Sequence, residues 1–268
     1  MHISVIMPHF RQEAFLPMTL RAATTDQIRK PDLFILVDDG SGTDLSRQLL
    51  APFIEEDQSR TIESEPNGDP EPVERVHGVF LPQNRGSAAA ITAGMEKVRE
   101  LRPEPDTTDC CTWISSDNVY YPEYLLALEN IMRDPAVGAV YSGYNHAEVR
   151  PPGVPVGPIE YFYRRWEPDL LISGEGCFYG PSFLIRRVVW DEAGDHRGRI
   201  SHDYDHWTRV EEACARRDLQ ILGLDAPLCL YGKHPQMATH RLADQYDAGT
   251  WRTVALRRRG LLQNVSQP

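Results

Sequence analysis

Four short apolar runs punctuate the first 120 residues, and a segment with helical spacing follows each of the first three. The runs are ISVIMP (3–8), LFILVDDGS (33–41), VHGVFLP (76–82) and CCTWIS (110–115), all reading as buried strands. After the first, Phe15, Leu16, Met18, Leu20, Ala22 and Ala23 gather on one side of a helix. After the second, Thr43 or Asp44 can cap a helix carrying Leu45, Leu49, Leu50 and Phe53. After the third, GSAAAITAGMEKV (86–98) forms a helix with small residues on one side, fit for close packing on a sheet. Strands alternating with helices define an α/β chain with a largely parallel, doubly wound sheet. PEYLLALENIM (122–132), with Pro122 in its first turn, and VGAVYSGY (137–144) extend the pattern by one helix and one strand.

The rest is less regular. EEDQSRTIESEPNGDPEPVER (55–75) is acidic and rich in proline and glycine, and reads as a surface loop or insertion. RPPGVPVGP (150–158) should be loop, and FYGPSFLIRRVVWDEAG (178–194) a strand running into a short helix ended by Gly194. SHDYDHWTRVEEACARR (201–217) is a helix with Ser201 as N-cap and acids in its first turns. LQILGLDAPLCLY (219–231) suggests one or two strands, and the last twenty residues contain a helical stretch.

Composition narrows the function. With 268 residues, 41% hydrophobic, the chain can bury a large core as one domain or one domain with an appendage. Its net charge of −11 is the wrong sign for a nucleic-acid-binding domain. Arg257, Arg258 and Arg259 read as a solvated helix face. Five cysteines without a CxxC spacing argue against a disulfide framework or a zinc site. No run approaches the roughly 18 apolar residues of a membrane span. MHISVIMPHF has no charged leader or cleavage site, so the expectation is a soluble cytoplasmic protein, with a homodimer left open.

Three polar clusters sit where strands end: Asp38-Asp39-Gly40-Ser41, Asn84-Arg85-Gly86-Ser87 and Ser115-Ser116-Asp117-Asn118. Each alone is a turn, because Asp and Asn hydrogen-bond their own backbone. In a parallel sheet all three fall along one edge, beyond the carboxyl ends of the strands, where α/β proteins bind ligands. Oxygen ligands there favour Mg²⁺ or Mn²⁺ over zinc. The chain has no GxxxxGK[ST] loop and no GxGxxG after its first strand.

ISVIMPHFRQEAFLPMTL, LFILVDDGS, LPQNRGSAAAITAGME, WISSDNVYYPEYL and SHDYDHWTRV, in that order, resemble the family 2 glycosyltransferases of GT-A fold. The resemblance runs from residue 3 to about residue 240, and VDDGS is its most specific piece. It implies an inverting, metal-dependent enzyme that uses nucleotide-diphospho-sugars. Pro8, His9 and Phe10 would line the base pocket, with Asp38 and Asp39 holding the nucleoside. Asp39 can accept from uracil N3–H, a donor that suits a carboxylate. Asn84, Arg85 and Gly86 would approach the ribose or diphosphate, although Arg85 reads equally well as a solvated loop arginine.

The opening turn of the third cluster falls where the family carries its DxD motif. Ser115 replaces the first aspartate, Asp117 keeps the metal-binding second, and Asn118 replaces the next. Ser115 and Ser116 would contact the donor, and the site is expected to bind metal more weakly than a full DxD would. Ile91 and Thr92 replace an Arg-Asn pair that many members carry, which weakens any guess at the donor sugar. Asp203 takes the position of the catalytic base, with His202 in place of the preceding glutamate and an alternative base in its own right. Asp205 reads as helix N-terminal charge, and Trp207 as core or acceptor wall. In LYGKHPQMATH (230–240), His234 would coordinate the metal or contact the diphosphate, with a surface loop histidine as the plain alternative; His240 is weaker.

The expectation is one GT-A domain over 1–240, its nucleotide-sugar half about 1–120 and its acceptor half about 121–240, followed by a helical tail at 241–268. It would move a sugar from a UDP-sugar to a hydroxyl of a glycan or small molecule, aided by Mn²⁺ or Mg²⁺. Two alternatives stand beside it: a nucleotide-sugar-binding protein with lost or weak turnover, and a nucleotidyltransferase. The latter should show a glycine-rich loop after its first strand, where this chain has PHFRQEA. Tyr161, Phe162, Tyr163 and Trp166 either stack on a sugar or pack.

Overall fold

The computed structural model describes residues 1–63, 76–167, 171, 179–198 and 202–237. Ser201, His240 and the 241–268 tail lie outside them. The strands are β1 (Ile3–His9), β2 (Leu33–Asp38), β3 (Val76–Phe80), β4 (Cys110–Trp113), β5 (Val119–Tyr120), β6 (Val137–Arg150), β7 (Val154–Pro155), β8 (Glu160–Phe162), β9 (Phe183–Arg186) and β10 (Gln220–Lys233). The helices are α1 (Leu16–Ala23), α2 (Leu45–Glu63), α3 (Ser87–Leu101), α4 (Tyr124–Met132), α5 (Arg187–Ala193) and α6 (His202–Arg216).

The main sheet has the order β3-β2-β1-β4-β9-β6-β10-β5. β1, β2, β3 and β4 are parallel neighbours. β9 runs antiparallel between β4 and β6, which leaves β6 and its parallel neighbour β10 pointing the same way as β1. The carboxyl ends of β1, β2, β3, β4 and β10 therefore share one edge. Arg186 holds the reversed strand in place: its buried guanidinium donates to the carbonyls of Val137, Met132 and Asp134 at 2.5, 2.9 and 2.7 Å.

Alternation along the strands feeds two cores. Ile3, Val5, Met7, Phe34 and Leu36 face α1, α2 and α4, while Ile6, Ile35 and Val37 face α3, α5 and α6. Both faces are buried, so the strands read as continuous apolar runs. The small side of α3 does what its composition predicts: a Cβ on Gly94 would stand 2.4 Å from Ile6 Cγ2. Ile91, in the position of the missing Arg-Asn pair, is wholly buried in this core.

Several boundaries differ from the sequence reading. The helix after β2 continues to Glu63, into the acidic stretch read as loop. α4 starts at Tyr124, with Pro122 just outside it, because Val119 and Tyr120 pair with β10 as β5. β6 runs on to Arg150, and Val154–Pro155 folds back on it as β7. Residues 220–233 form one long strand whose register shifts against β6 around Pro227. No helix among the described residues is long and apolar enough to cross a membrane. Cys110, Cys111, Cys214 and Cys229 are free and buried, while Cys177 lies outside the described residues.

Candidate active site

The shared strand edge gathers the polar clusters, and each has a distinct local logic. Asp38 turns back on its own loop, accepting from Ser41 N–H at 2.7 Å and from the Ser46 hydroxyl in the first turn of α2. Asp39 reaches sideways to the loop before α3. It accepts from Asn84 Nδ2 at 2.8 Å, Arg85 N–H at 2.8 Å and Gly86 N–H at 2.7 Å. This places a carboxylate at the positive end of α3. Burial nevertheless pushes its carboxyl above the ordinary range, against the pull of the Arg85 and Gly86 amides. Gly40 permits the approach: its φ is +71°, and a Cβ there would stand 2.3 Å from the carbonyl carbon of Gln83.

The loop after β1 closes the opposite side. Arg11 N–H donates to Ser41 Oγ at 3.1 Å, and the Arg11 guanidinium lies 5.1 Å from the centre of the Phe10 ring. His9 is buried, and neither ring nitrogen finds a hydrogen-bond partner among the described residues; Glu13 Oε1 lies 3.9 Å from Nε2. Pro8, His9 and Phe10 thus sit at the end of β1 beside the Asp38–Ser41 turn.

Asp117 and His234 meet. His234 follows β10, Asp117 precedes β5, and pairing of those strands brings Nε2 and Oδ2 to 3.1 Å with both residues buried. Phe15 stacks on the His234 ring with centroids 4.4 Å apart. Gln12, to which the sequence reading gave no role, donates to Asp117 Oδ2 at 2.5 Å and accepts from Ser116 Oγ at 2.6 Å. Asn118, in place of a family aspartate, accepts from Gly232 N–H at 3.1 Å and so straps the end of β10 to this turn. Ser115 N–H donates to the Tyr120 hydroxyl at 3.0 Å.

Asp117 and His234, one carboxylate and one imidazole, are the residues that could hold a divalent cation here. No group of three or more His, Cys, Asp or Glu side chains suited to a metal occurs among the described residues.

The start of α6 lies at the same edge. His202 Nε2 is 2.6 Å from Ser87 Oγ at the first residue of α3, and its Nδ1 is 2.9 Å from His196 Nδ1. The ring lies 6.1 Å from that of Trp113, two residues before Ser115. Asp203 and Asp205 occupy the first turn of α6, where acids are favoured. Asp205 is paired with Arg209 at 3.0 Å, and that guanidinium also donates to the Gly194 and Asp195 carbonyls at 2.8 Å each. Trp207 is core, stacked on Tyr179 at 4.7 Å. Among the aromatics of 161–166, Phe162 packs on Tyr144, and the Tyr163 hydroxyl donates to the Gly223 carbonyl. Trp166 packs on the α3-side core, and Tyr161 remains exposed.

His9, His196 and His202 all hold protons less tightly than a free imidazole, chiefly because burial disfavours the cation. Neighbouring His206, His202 and Arg209 add to the effect at His196, while Asp203 and Asp205 oppose it at His202. Below about pH 6.5 the unfolded chain takes up protons that the folded chain refuses, so stability falls as pH drops. The melting temperature is expected to decline from about pH 7 to about pH 5. Each histidine protonated only in the unfolded chain contributes up to about 1.4 kcal/mol per pH unit. Asp39 acts in the opposite sense, in the more acidic carboxylate range. His196→Asn should flatten the decline; a flat wild-type profile would contradict a buried neutral cluster.

A parallel sheet with this strand order, its acidic turns gathered on the carboxyl edge and one reversed strand near its middle, defines a GT-A-type architecture. The chain belongs to glycosyl transferase family 2, whose model matches residues 4–193. A curated relative from Haemophilus influenzae, described as an uncharacterized glycosyltransferase, is 30% identical over 116 residues, covering 43% of this chain and 36% of that protein. The match thus spans about a third of that relative. S. aureus TarS superposes over 100% of this chain and 44% of its own, with a TM-score of 0.60 and 14% identity. A shorter form of TarS, 1–349, solved with UDP-GlcNAc, gives 0.59 and 13% over 96% and 71%. Glucosyl-3-phosphoglycerate synthase from Mycobacterium tuberculosis, solved with Mn²⁺, UDP and glucosyl-3-phosphoglycerate, gives 0.58 and 15% over 98% and 81%. At these identities the structural likeness speaks for the fold.

Proposed function

We propose that this protein is an inverting glycosyltransferase that moves a sugar from a UDP-sugar to an acceptor hydroxyl. The observation that carries the reading is the buried Asp117–His234 pair, closed across the sheet edge beside the Asp39 loop. Nucleotide complexes of S. aureus TarS and the mycobacterial synthase, which share the fold, support UDP as the donor nucleotide.

The nucleoside would lie between the ends of β1 and β2. Asp39 has about four acceptor positions and spends three on the 84–86 loop, leaving one for a base N3–H. The unpartnered nitrogens of His9 offer further contacts in the same pocket. Asp117 and His234 would hold a divalent cation, which when bound offsets the charge of the leaving diphosphate. Gln12 and Ser116 orient the Asp117 carboxylate. Asp203 would take the proton of the acceptor hydroxyl, on the face opposite the leaving group. His202 suits this role less well, because both its nitrogens are already engaged. A binding protein without turnover would have no need of both Asp117 and Asp203.

Calorimetric titration with nucleotides in Mn²⁺ tests the reading. UDP should bind more tightly than CDP, since cytosine offers no N3–H. Asp39→Ala should narrow the gap, by roughly 10-fold for one lost charge-assisted hydrogen bond. Equal binding of UDP, CDP and ADP to the wild type would exclude a uridine pocket.

A further inference from the structure

We propose that Ser87 and His202 clamp the base-bearing end of α6 to the nucleoside loop, with Ser87 acting as a positioning residue for Asp203. The proposal rests on the reading of Asp203 as the base. Its warrant is a run of contacts that joins the two halves of the site. Asp39 accepts from Gly86 N–H at 2.7 Å, Ser87 is the next residue, and its hydroxyl lies 2.6 Å from His202 Nε2 across 115 positions of sequence. Asp203 follows His202 directly.

The His202 ring is held on three sides. Nδ1 faces His196 Nδ1 at 2.9 Å, Nε2 faces Ser87, and the rings of His196 and Trp113 lie 5.0 and 6.1 Å away. With both imidazoles neutral, one proton is shared between the two Nδ1 atoms, and its position dictates the rest. If it sits on His196, His202 carries its own on Nε2 and donates to Ser87 Oγ. If it sits on His202, Nε2 accepts the serine hydroxyl. A hydroxyl serves either arrangement, being both donor and acceptor, whereas alanine serves neither. A buried ring with one nitrogen left unpaired is free to rotate toward another partner, and the peptide that carries Asp203 moves with it. A base displaced by a fraction of an ångström loses its line to the acceptor proton. Because Ser87 follows the loop that Asp39 holds, nucleotide contacts at this loop would bear on the base as well.

The test is a double-mutant cycle between Ser87 and Asp203, with ¹⁵N NMR of the histidine rings as a readout independent of turnover. Ser87→Ala should lower kcat by roughly 10- to 10²-fold, with little change in KM for the donor. Ser87→Thr, which keeps the hydroxyl, should restore most of the rate. In an Asp203→Asn background, Ser87→Ala should have no further effect, since there is no base left to position. The Nε2 signal of His202 should shift in Ser87→Ala and return in Ser87→Thr. An undiminished kcat in Ser87→Ala overturns the proposal, and so does an equal loss in both backgrounds. If Asp203→Asn alone retains full turnover, the assignment of the base fails; an unshifted His202 signal in Ser87→Ala shows separately that the clamp does not form.

Discussion

Replacing Asp203 by asparagine is expected to leave UDP-sugar binding intact while transfer falls by roughly 10²-fold or more, the usual scale for a lost general base. Asparagine keeps the shape of the side chain and removes only its basicity. Asp205, in the same first turn of α6, is already committed to Arg209, so no nearby carboxylate on the helix stands ready to substitute. His202→Ala is a harder change to read, since it opens a space beside Trp113 and breaks two ring contacts. His202→Gln retains one polar end toward Ser87 and should cost less than Asp203→Asn. Single-turnover measurement with saturating donor separates the two residues. A dead His202→Gln beside an active Asp203→Asn would transfer the role to the imidazole.

The second large effect belongs to Asp117. Asp117→Asn should abolish Mn²⁺-stimulated transfer and weaken Mn²⁺ binding beyond detection, by paramagnetic resonance of the free ion, because it removes the one carboxylate of the pair. Asp117→Ala should add a stability cost of about 1–3 kcal/mol, since the half-buried Gln12 amide and the buried His234 ring would lose their acceptor. Ser115→Ala should be mild, because the contact seen at Ser115 is made by its backbone N–H. Normal metal-dependent turnover in Asp117→Asn would place the cation elsewhere.

Much of this was legible in the sequence because burial on both faces leaves an unbroken apolar run. β1 to β4 and the small-residue face of α3 follow from composition alone. Direction is another matter: FLIR reads as a strand whether it runs with its neighbours or against them, and only the packing of Arg186 under the α4–β6 turn reveals which. α2 outran its apolar pattern because residues beyond Ile54 carry acids and amides that give no periodic signal. At the site, charge drew attention to Asp39, Asp117 and Asp203. Gln12 and Ser87 carry none, and their partners lie 105 and 115 positions away, so no local spacing could have shown what they touch. Asn118 stands in place of a family aspartate, and its bond to Gly232, 114 positions on, is visible only in the fold.

Asp117 and His234 are separated by 117 positions and become neighbours only when the last strand docks. A cation held between them would therefore recognise the finished sheet and nothing earlier. Binding to the native state alone adds about 2.7 kcal/mol at a hundredfold excess over Kd. The ion would act as a clasp on β10, and the supply of metal would bear on how long the chain survives as well as on how fast it works.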